Sequence, residues 1–480
     1  MDDQGRRLLV IGGGAAGMSA AMAARRLQTN REIVVLERGS HVSFVLCGLP
    51  YFVSGIVKNL DSLIVYTPEY FRAERNIDVR TGHEVKRIDA QSATVEFVDV
   101  ATREKGVISY DKLVITAGAQ PIVPSIRGLA LPGVFALRSL EGGAAIKDFL
   151  ARRPVRRAAI IGAGYIGLEM AESLKTAGAR VTMIEASDSV LPGSEPEIAA
   201  LIEEEVRRQG VELLKQQLAL SIESNAAATV DRVTTDSGDV EADMVLIAAG
   251  ARPDTAIARE TGIGVGETGG IVTDEMMRTN IPDIYAAGDC AEARHLLTGR
   301  PIFLPLGTTA NKQGRVAGEN ACGGHAVFPG ILGSLAFRLF DIEVARTGLS
   351  RPGAGGGLRA NQRRRPLPFA LAVLPRRPDA HRQAGRRQAQ RPAPRRPDGR
   401  QWHGGEAHRR RRRGAAREDG GVRPRAPRPG LRAPSWDGMG GHSARRPGAT
   451  AASGCRRLGA SATPGIPAHQ TTTFRGKLAV

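Results

Sequence analysis

From residue 7 to about residue 350 the chain alternates runs of β-branched and aliphatic residues with stretches of helical period. The first run, RLLVI (Arg7–Ile11), enters a glycine turn and an alanine-rich stretch, AAGMSAAMAARRL, and a second apolar run, EIVVLE, ends at Glu37. The same order returns in RRAAIIGAGYIGLEMAESLKTAGARVTMIE, which ends at Glu185. Runs that are apolar throughout read as parallel strands covered on both faces. The pattern therefore predicts an α/β chain with two Rossmann-like, three-layer ββα dinucleotide-binding units. Two further runs, KLVITAGAQP (Lys112–Pro121) and DMVLIAAGARP (Asp243–Pro253), echo each other. They read as buried strands closing in glycine turns, each where the chain crosses between domains. Beyond residue 350 the alternation stops, with FALAVL the one short apolar segment, and disorder is expected there.

Composition sharpens that boundary. Residues 351–480 hold 29 arginines and one lysine against six acids, a net +24, so the overall +18 leaves −6 for residues 1–350. The tail also holds 15 of the 28 prolines and a single isoleucine, Ile466. Its arginine runs lack interleaved aromatics, which argues against specific nucleic-acid recognition. Three readings of the tail are open: an arm that binds polyanions, a solvated tail, or text from a slipped reading frame. In the first reading the arginines tether the body to a polyanion, with an affinity that falls steeply with salt. The start, MDDQGRRLLVIGGG, is acidic and then turns, unlike a secretory signal, and no run of eighteen apolar residues follows. The expectation is a cytoplasmic protein without a membrane span. The four cysteines, Cys47, Cys290, Cys322 and Cys455, are too scattered for a disulfide scaffold or a metal site.

The glycine turns carry the chemistry. Gly12 makes the tight turn, Gly14 lets the backbone approach a pyrophosphate, and Gly17 lets the helix pack on its strand, with the helix N-terminus facing the anion. Glu37 stands twenty residues after Gly17, where its carboxylate accepts hydrogen bonds from ribose hydroxyls. Gly162, Gly164 and Gly167 repeat the turn, and Glu185 repeats the acid. Two such units imply two nucleotides. Glu185 repels a 2′-phosphate and no arginine follows it in EASDS, so the second site is expected to prefer NADH to NADPH. In TNIPDIYAAGDCAE a strand delivers Asp289 to an expected helix N-terminus, suited to holding a polyol hydroxyl.

Taken in order, GxGxxG with Glu37, ITAGA, GxGYIGxE, IAAGARP and the stretch Thr279–Asp289 resemble the FAD-dependent pyridine nucleotide-disulfide oxidoreductases over about residues 7–350. With SFVLCGLPYFVSG the chain is most similar to the single-cysteine branch of coenzyme A-disulfide reductases and NADH oxidases. The resemblance implies an FAD domain over 1–121 and 250–324, an inserted NAD(P)H domain over 122–249, and the start of a dimerisation domain over 325–350. It places Gly12, Gly14, Gly17 and Glu37 on the ADP part of FAD, Gly118 near it, and Asp289 on the ribityl chain. PLGTTANKQGRVAG resembles the segment under the flavin ring. Tyr165 would gate the nicotinamide pocket, Glu169 would lie beside the nicotinamide, and Arg26 and Ser43 match positions linked with coenzyme A. The branch forms homodimers whose partner lends tyrosines, whereas all six tyrosines here lie at or before Tyr285. The composition break falls where that dimerisation domain would continue, which favours the slipped frame.

Cys47 has no second cysteine nearby, and the position five residues on is Phe52. A thiol here, ahead of the GLPYF turn, is expected to be held as thiolate by a helix N-terminus and the flavin. Two resolutions are open: a mixed disulfide with coenzyme A, or a cysteine sulfenic acid cycling with peroxide or oxygen. Ala15 stands where the oxidases and peroxidases carry histidine, which ranks the reductase first. Leu46, where reductases commonly have asparagine, counts against it. Cys290 and Cys322 read as packing residues, His41 and His83 as structural, and Glu203–Glu205 as a solvated charge run.

Overall fold

The computed structural model describes residues 6–349 and, as backbone, residues 370–375. The apolar runs become the centres of two five-stranded parallel sheets. In the first, the order is Ile284–Ala286, Lys112–Ile115, Arg7–Ile11, Glu32–Leu36 and Asp78–Arg80. In the second it is Glu212–Lys215, Arg180–Glu185, Arg157–Ile161, Met244–Ile247 and Val134–Ala136.

The near-continuous apolarity has its reason in what covers each face. Leu8, Val10, Ile33 and Val35 pack on the helix side with Ala16, Ala20 and Ala24, whereas the alternate residues Leu9, Ile11, Val34 and Leu36 pack on Ile88, Val95 and Ile108 of an antiparallel three-stranded layer. The second sheet repeats this: Ala158, Ile160 and Met183 face helices, and Ala159, Ile161 and Ile184 face a second antiparallel layer through Ile222, Val233 and Val240. Each sheet is thus the middle of a ββα sandwich. The two echoing segments pair with each other, Ala119–Pro121 running antiparallel to Ala251–Pro253.

Helix Ala15–Leu27 lies against helix Gly307–Ala321 at backbone contact distance. A Cβ on Gly314 would come within 2.2 Å of the Ala16 carbonyl oxygen, and one on Gly318 within 2.0 Å of that of Ala20. No side chain fits there.

The hairpin Leu335–Leu339 and Ile342–Thr347 docks on the helices of the second sheet, burying Leu339 and Val344 completely. Its turn is tied by the Asp341 amide donating to Glu205 at 3.1 Å and by Arg208 bridging Glu205 and Asp341. This corrects the reading of Glu203–Glu205 as a solvated run. Only Glu204 is exposed; Glu203 and Glu205 are buried and ion-paired, because their helix packs that face against the sheet and the hairpin. The backbone of Ala370–Pro375 adds a third, antiparallel strand to the hairpin. That segment departs from the expectation of disorder, since a short apolar run can satisfy its amides on an open strand edge. The remaining expectations for residues 351–480 lie outside the described residues.

Candidate active site

Both glycine turns are built alike. Gly12 and Gly162 have φ of +98° and +109°, and a Cβ on either would strike a neighbouring carbonyl oxygen, that of Thr116 at 2.3 Å or Ala248 at 2.4 Å. A Cβ on Gly14 or Gly164 would meet nothing within 4 Å, so the backbone there is open toward a ligand. Each following helix, Ala15–Leu27 and Tyr165–Thr176, starts on a glycine with no side-chain cap and no acid in its first turn. By contrast the helices Pro68–Arg75 and Leu140–Arg152 are capped by Thr67 and Ser139 and carry Glu69 and Glu141. Uncapped first-turn amides at an open glycine turn are the donors an anion requires. The chain thus has cradles that fit two pyrophosphates.

The acids at the strand ends also match. Glu37 accepts from the amides of Gly13 and Gly39, both at 2.6 Å, and Glu185 from those of Ala163 at 2.6 Å and Ser187 at 2.9 Å. Each carboxylate therefore pins its own glycine loop, with lone pairs left over for ribose hydroxyls.

Asp289 departs from the sequence expectation. It sits in a turn, not at a helix N-terminus, because Gly288 at φ +82° reverses the chain and the Ala291 amide closes the turn on the Gly288 carbonyl. Burial pushes the Asp289 carboxyl up, opposed by the Arg138 guanidinium 3.5 Å away. Sequence reasoning missed two supports of this turn. Arg138 also donates to the Ala119 carbonyl at 2.7 Å and lies against Gly118, where a Cβ would come within 3.1 Å of it. Gln313, wholly buried, accepts from the Gly288 amide at 2.9 Å and donates to the Glu292 carbonyl at 3.0 Å. The only trace of Arg138 in the sequence is an arginine just before a serine N-cap, and Gln313 is hidden in a polar-looking helix.

Cys47 lies in a single 3-10 turn, Leu46–Gly48, ahead of the short helix Leu49–Val53. It is exposed, whereas Cys290 and Cys322 are buried. Its helix is clamped from the second-sheet side: Ser173 Oγ donates to the Pro50 carbonyl at 2.8 Å, and Lys147 Nζ donates to the Phe52 carbonyl at 2.9 Å with the ammonium 3.9 Å from the Phe52 ring. Partial burial and then the charge of Glu169 push the Cys47 thiol up, against a backbone hydrogen bond that lowers it. The helix that follows the thiol is five residues long, and burial and Glu169 outweigh the backbone hydrogen bond at its start.

Glu169 links the thiol to a second group, since it acts on Cys47 and on Tyr51 and also on Tyr165, which lies by Asp289. Burial, followed by the Glu172 charge, raises the Glu169 carboxyl to about 7. Burial and the charges of Asp289 and Glu169 raise the Tyr165 phenol. Glu172, one turn on, is held by Arg338 at 2.6 Å and by the Phe340 amide at 2.7 Å, and Arg338 also stands over the Tyr51 ring. Glu169, Tyr51, Ser54 and Arg338 line one cleft.

Arg26 is exposed at the end of its helix and makes no bond to this cluster among the described residues. Ser43, at φ +51°, joins the glycine loop to the cysteine segment: its amide donates to the Gly13 carbonyl and its carbonyl accepts from the Val65 amide. His41 contacts Ser40 and Glu141, and His83 the Thr81 carbonyl. Among the described residues no group of His, Cys, Asp and Glu is placed to hold a metal ion, and no helix is long and apolar enough to cross a membrane.

A family model described as pyridine nucleotide-disulphide oxidoreductase matches residues 6–314. The chain is 41% identical over 349 residues to a protein of Pyrococcus abyssi named NAD(P)H sulfur oxidoreductase (CoA-dependent), the match covering 72% of this chain and 76% of the relative. It is 36% identical over 345 residues to a Methanocaldococcus jannaschii protein named NADH oxidase, with 72% and 76% covered. The solved structure of an NAD-dependent persulfide reductase from A. fulgidus superimposes with a TM-score of 0.70 at 40% identity, covering 72% of this chain and 65% of that one. The chain thus spans about two-thirds of that solved chain.

Proposed function

Because the chain belongs to the pyridine nucleotide-disulphide oxidoreductase family, whose cofactors are FAD and NAD(P)H, we propose that it passes two electrons from NADH through FAD to Cys47. That residue in turn reduces coenzyme A disulfide or a related low-molecular-weight disulfide or polysulfide. The observation that carries this reading is that Cys47 alone of the described cysteines is exposed, and that it is exposed within reach of Glu169, a carboxyl that also acts on Tyr165. The CoA-dependent name of the Pyrococcus relative supports the substrate class.

In this reading Gly12, Gly14, Gly17 and Glu37 hold the ADP part of FAD, Gly118 passes near it, and Asp289, braced by Arg138 and Gln313, takes the ribityl chain. Gly162, Gly164, Gly167 and Glu185 hold NADH, with Tyr165 and Glu169 at the nicotinamide end. Arg26 and Ser43 stand on the coenzyme A side. FAD, when bound, supplies the two-electron relay between NADH and a disulfide. Cys47 Sγ, as thiolate, attacks one sulfur of the substrate: a Cys47–S bond forms, the substrate S–S bond breaks, and one thiolate departs and takes a proton from water. Two electrons from NADH then split the mixed disulfide into the Cys47 thiolate and a second thiol. In sum NADH, one proton and one disulfide give NAD+ and two thiols. Since the chain alone raises the thiol, the thiolate depends on the filled site.

A second reading, an oxidase or peroxidase cycling Cys47 through a sulfenic acid, is favoured by the name of the Methanocaldococcus relative and by the open access to Cys47. One assay separates them. Under nitrogen, NADH consumption that requires coenzyme A disulfide supports the reductase; oxygen uptake with NADH alone and no disulfide-dependent turnover would replace it with the oxidase.

A further inference from the structure

The strand Arg180–Glu185 delivers Glu185 to the second glycine loop, and its outer neighbour in the parallel sheet is Glu212–Lys215, with Lys215 directly in register with Glu185. Register partners in adjacent strands point to the same face about 5 Å apart, so the base of a lysine side chain stands beside the acid. Two backbone bonds fuse the strand ends: the Gln216 amide donates to Ser187 O at 3.0 Å and that of Gln217 to Glu185 O at 3.1 Å. No arginine or lysine occurs in residues 186–195. Lys215 is thus the cation built into the strand end where the adenosine ribose would lie.

Its ammonium, however, is turned away. Lys215 Nζ donates to both carboxylate oxygens of Glu203, at 2.8 and 2.9 Å, and Glu203, on helix Pro196–Arg208, is buried with Arg207 as a second partner at 3.4 Å. A lysine held bidentately by a buried carboxylate loses that partner if it swings to another anion, and leaving the carboxylate unpaired is costly.

We propose that Glu203 is a specificity-determining residue for the nicotinamide cofactor: by holding Lys215 it leaves Glu185 unopposed at the ribose and so excludes a 2′-phosphate. The inference rests on the reading that Glu185 receives the adenosine ribose. Glu203 touches no ligand and acts through Lys215 alone.

The test is calorimetric titration of NAD+ and NADP+ into the purified full chain and its variants. Glu203→Gln frees Lys215 and should raise NADP+ affinity relative to NAD+ about tenfold. Adding Lys215→Met to it should return the ratio to the wild-type value. Lys215→Met alone should leave the ratio unchanged, because the withheld ammonium does not serve the ligand. An unchanged ratio in Glu203→Gln overturns the inference, as does a gain that survives in the double variant. A fall in NADP+ affinity in Lys215→Met overturns it as well, and that arm holds even where Glu203→Gln does not fold. Glu185→Ala separates the premise. If that variant leaves the ratio unmoved, the ribose reading itself fails; if it shifts the ratio while Glu203→Gln does not, only the role of Glu203 fails.

Discussion

At the scale of single residues, two side chains carry the account. Cys47 is exposed and raised, and Glu169 is a carboxyl held near neutrality by burial and by Glu172. Cys47→Ser should bring disulfide-dependent NADH consumption to background while the purified chain keeps its flavin absorbance; turnover retained in the variant would remove Cys47 from the reaction. Glu169 makes a prediction on stability. Its folded value of about 7 lies above the 4.5 of an ordinary glutamate, so the folded state holds the proton more tightly than the unfolded one. The stability this gives is fully present below about 4.5 and is lost as pH rises through 7. The unfolding midpoint of the wild type should therefore fall relative to that of Glu169→Gln between pH 5 and pH 8, and parallel curves would contradict the assignment. Neither property was legible in the sequence. Cys47 was visible as a lone thiol before an apolar turn, but its local charge depends on Glu169, more than a hundred positions away.

At the scale of elements, the sequence exposes whatever is local. Strand, glycine turn, helix and terminal acid lie within thirty-odd residues, so both nucleotide cradles could be read before any coordinates, down to Gly12, Gly14, Glu37 and their repeats. What stayed hidden is built from distant pieces. Arg138 reaches Asp289 across some 150 positions, and Gln313 braces Gly288 from a helix that shows no sign of its buried face. Glu203 and Glu205 looked like solvated charge because their partners, Lys215 and Asp341, lie in other elements. The packing of helix Ala15–Leu27 on helix Gly307–Ala321 gives the sharpest element-level prediction. Gly318→Val sets a branched side chain against the Ala20 carbonyl and should cost about 1–3 kcal/mol or more. The loss should appear as a lower unfolding midpoint together with weaker flavin retention. Gln313→Leu, by contrast, leaves the Gly288 amide without its acceptor and should weaken flavin retention more than it lowers the midpoint. Equal effects on both measures would deny Gln313 its specific place beside Asp289.

At the scale of the molecule, two ββα sandwiches bring a cysteine segment of the first against two helices of the second, through Ser173 and Lys147. The exposed thiol and the helix carrying Tyr165 and Glu169 are thereby set in one frame. Every residue assigned to the site lies between Gly12 and Arg338. Removing residues 376–480 should accordingly leave flavin content and NADH affinity as they are, and loss of both on truncation would show that the arginine-rich segment supports the site. The central claim, that Cys47 trades a disulfide with a small thiol compound at NADH's expense, is tested most directly by peptide mass mapping of the purified chain after exposure to coenzyme A disulfide under nitrogen. The account predicts one coenzyme A adduct on the peptide carrying Cys47, lost on addition of NADH. An unmodified Cys47, or an adduct that NADH leaves in place, would contradict it.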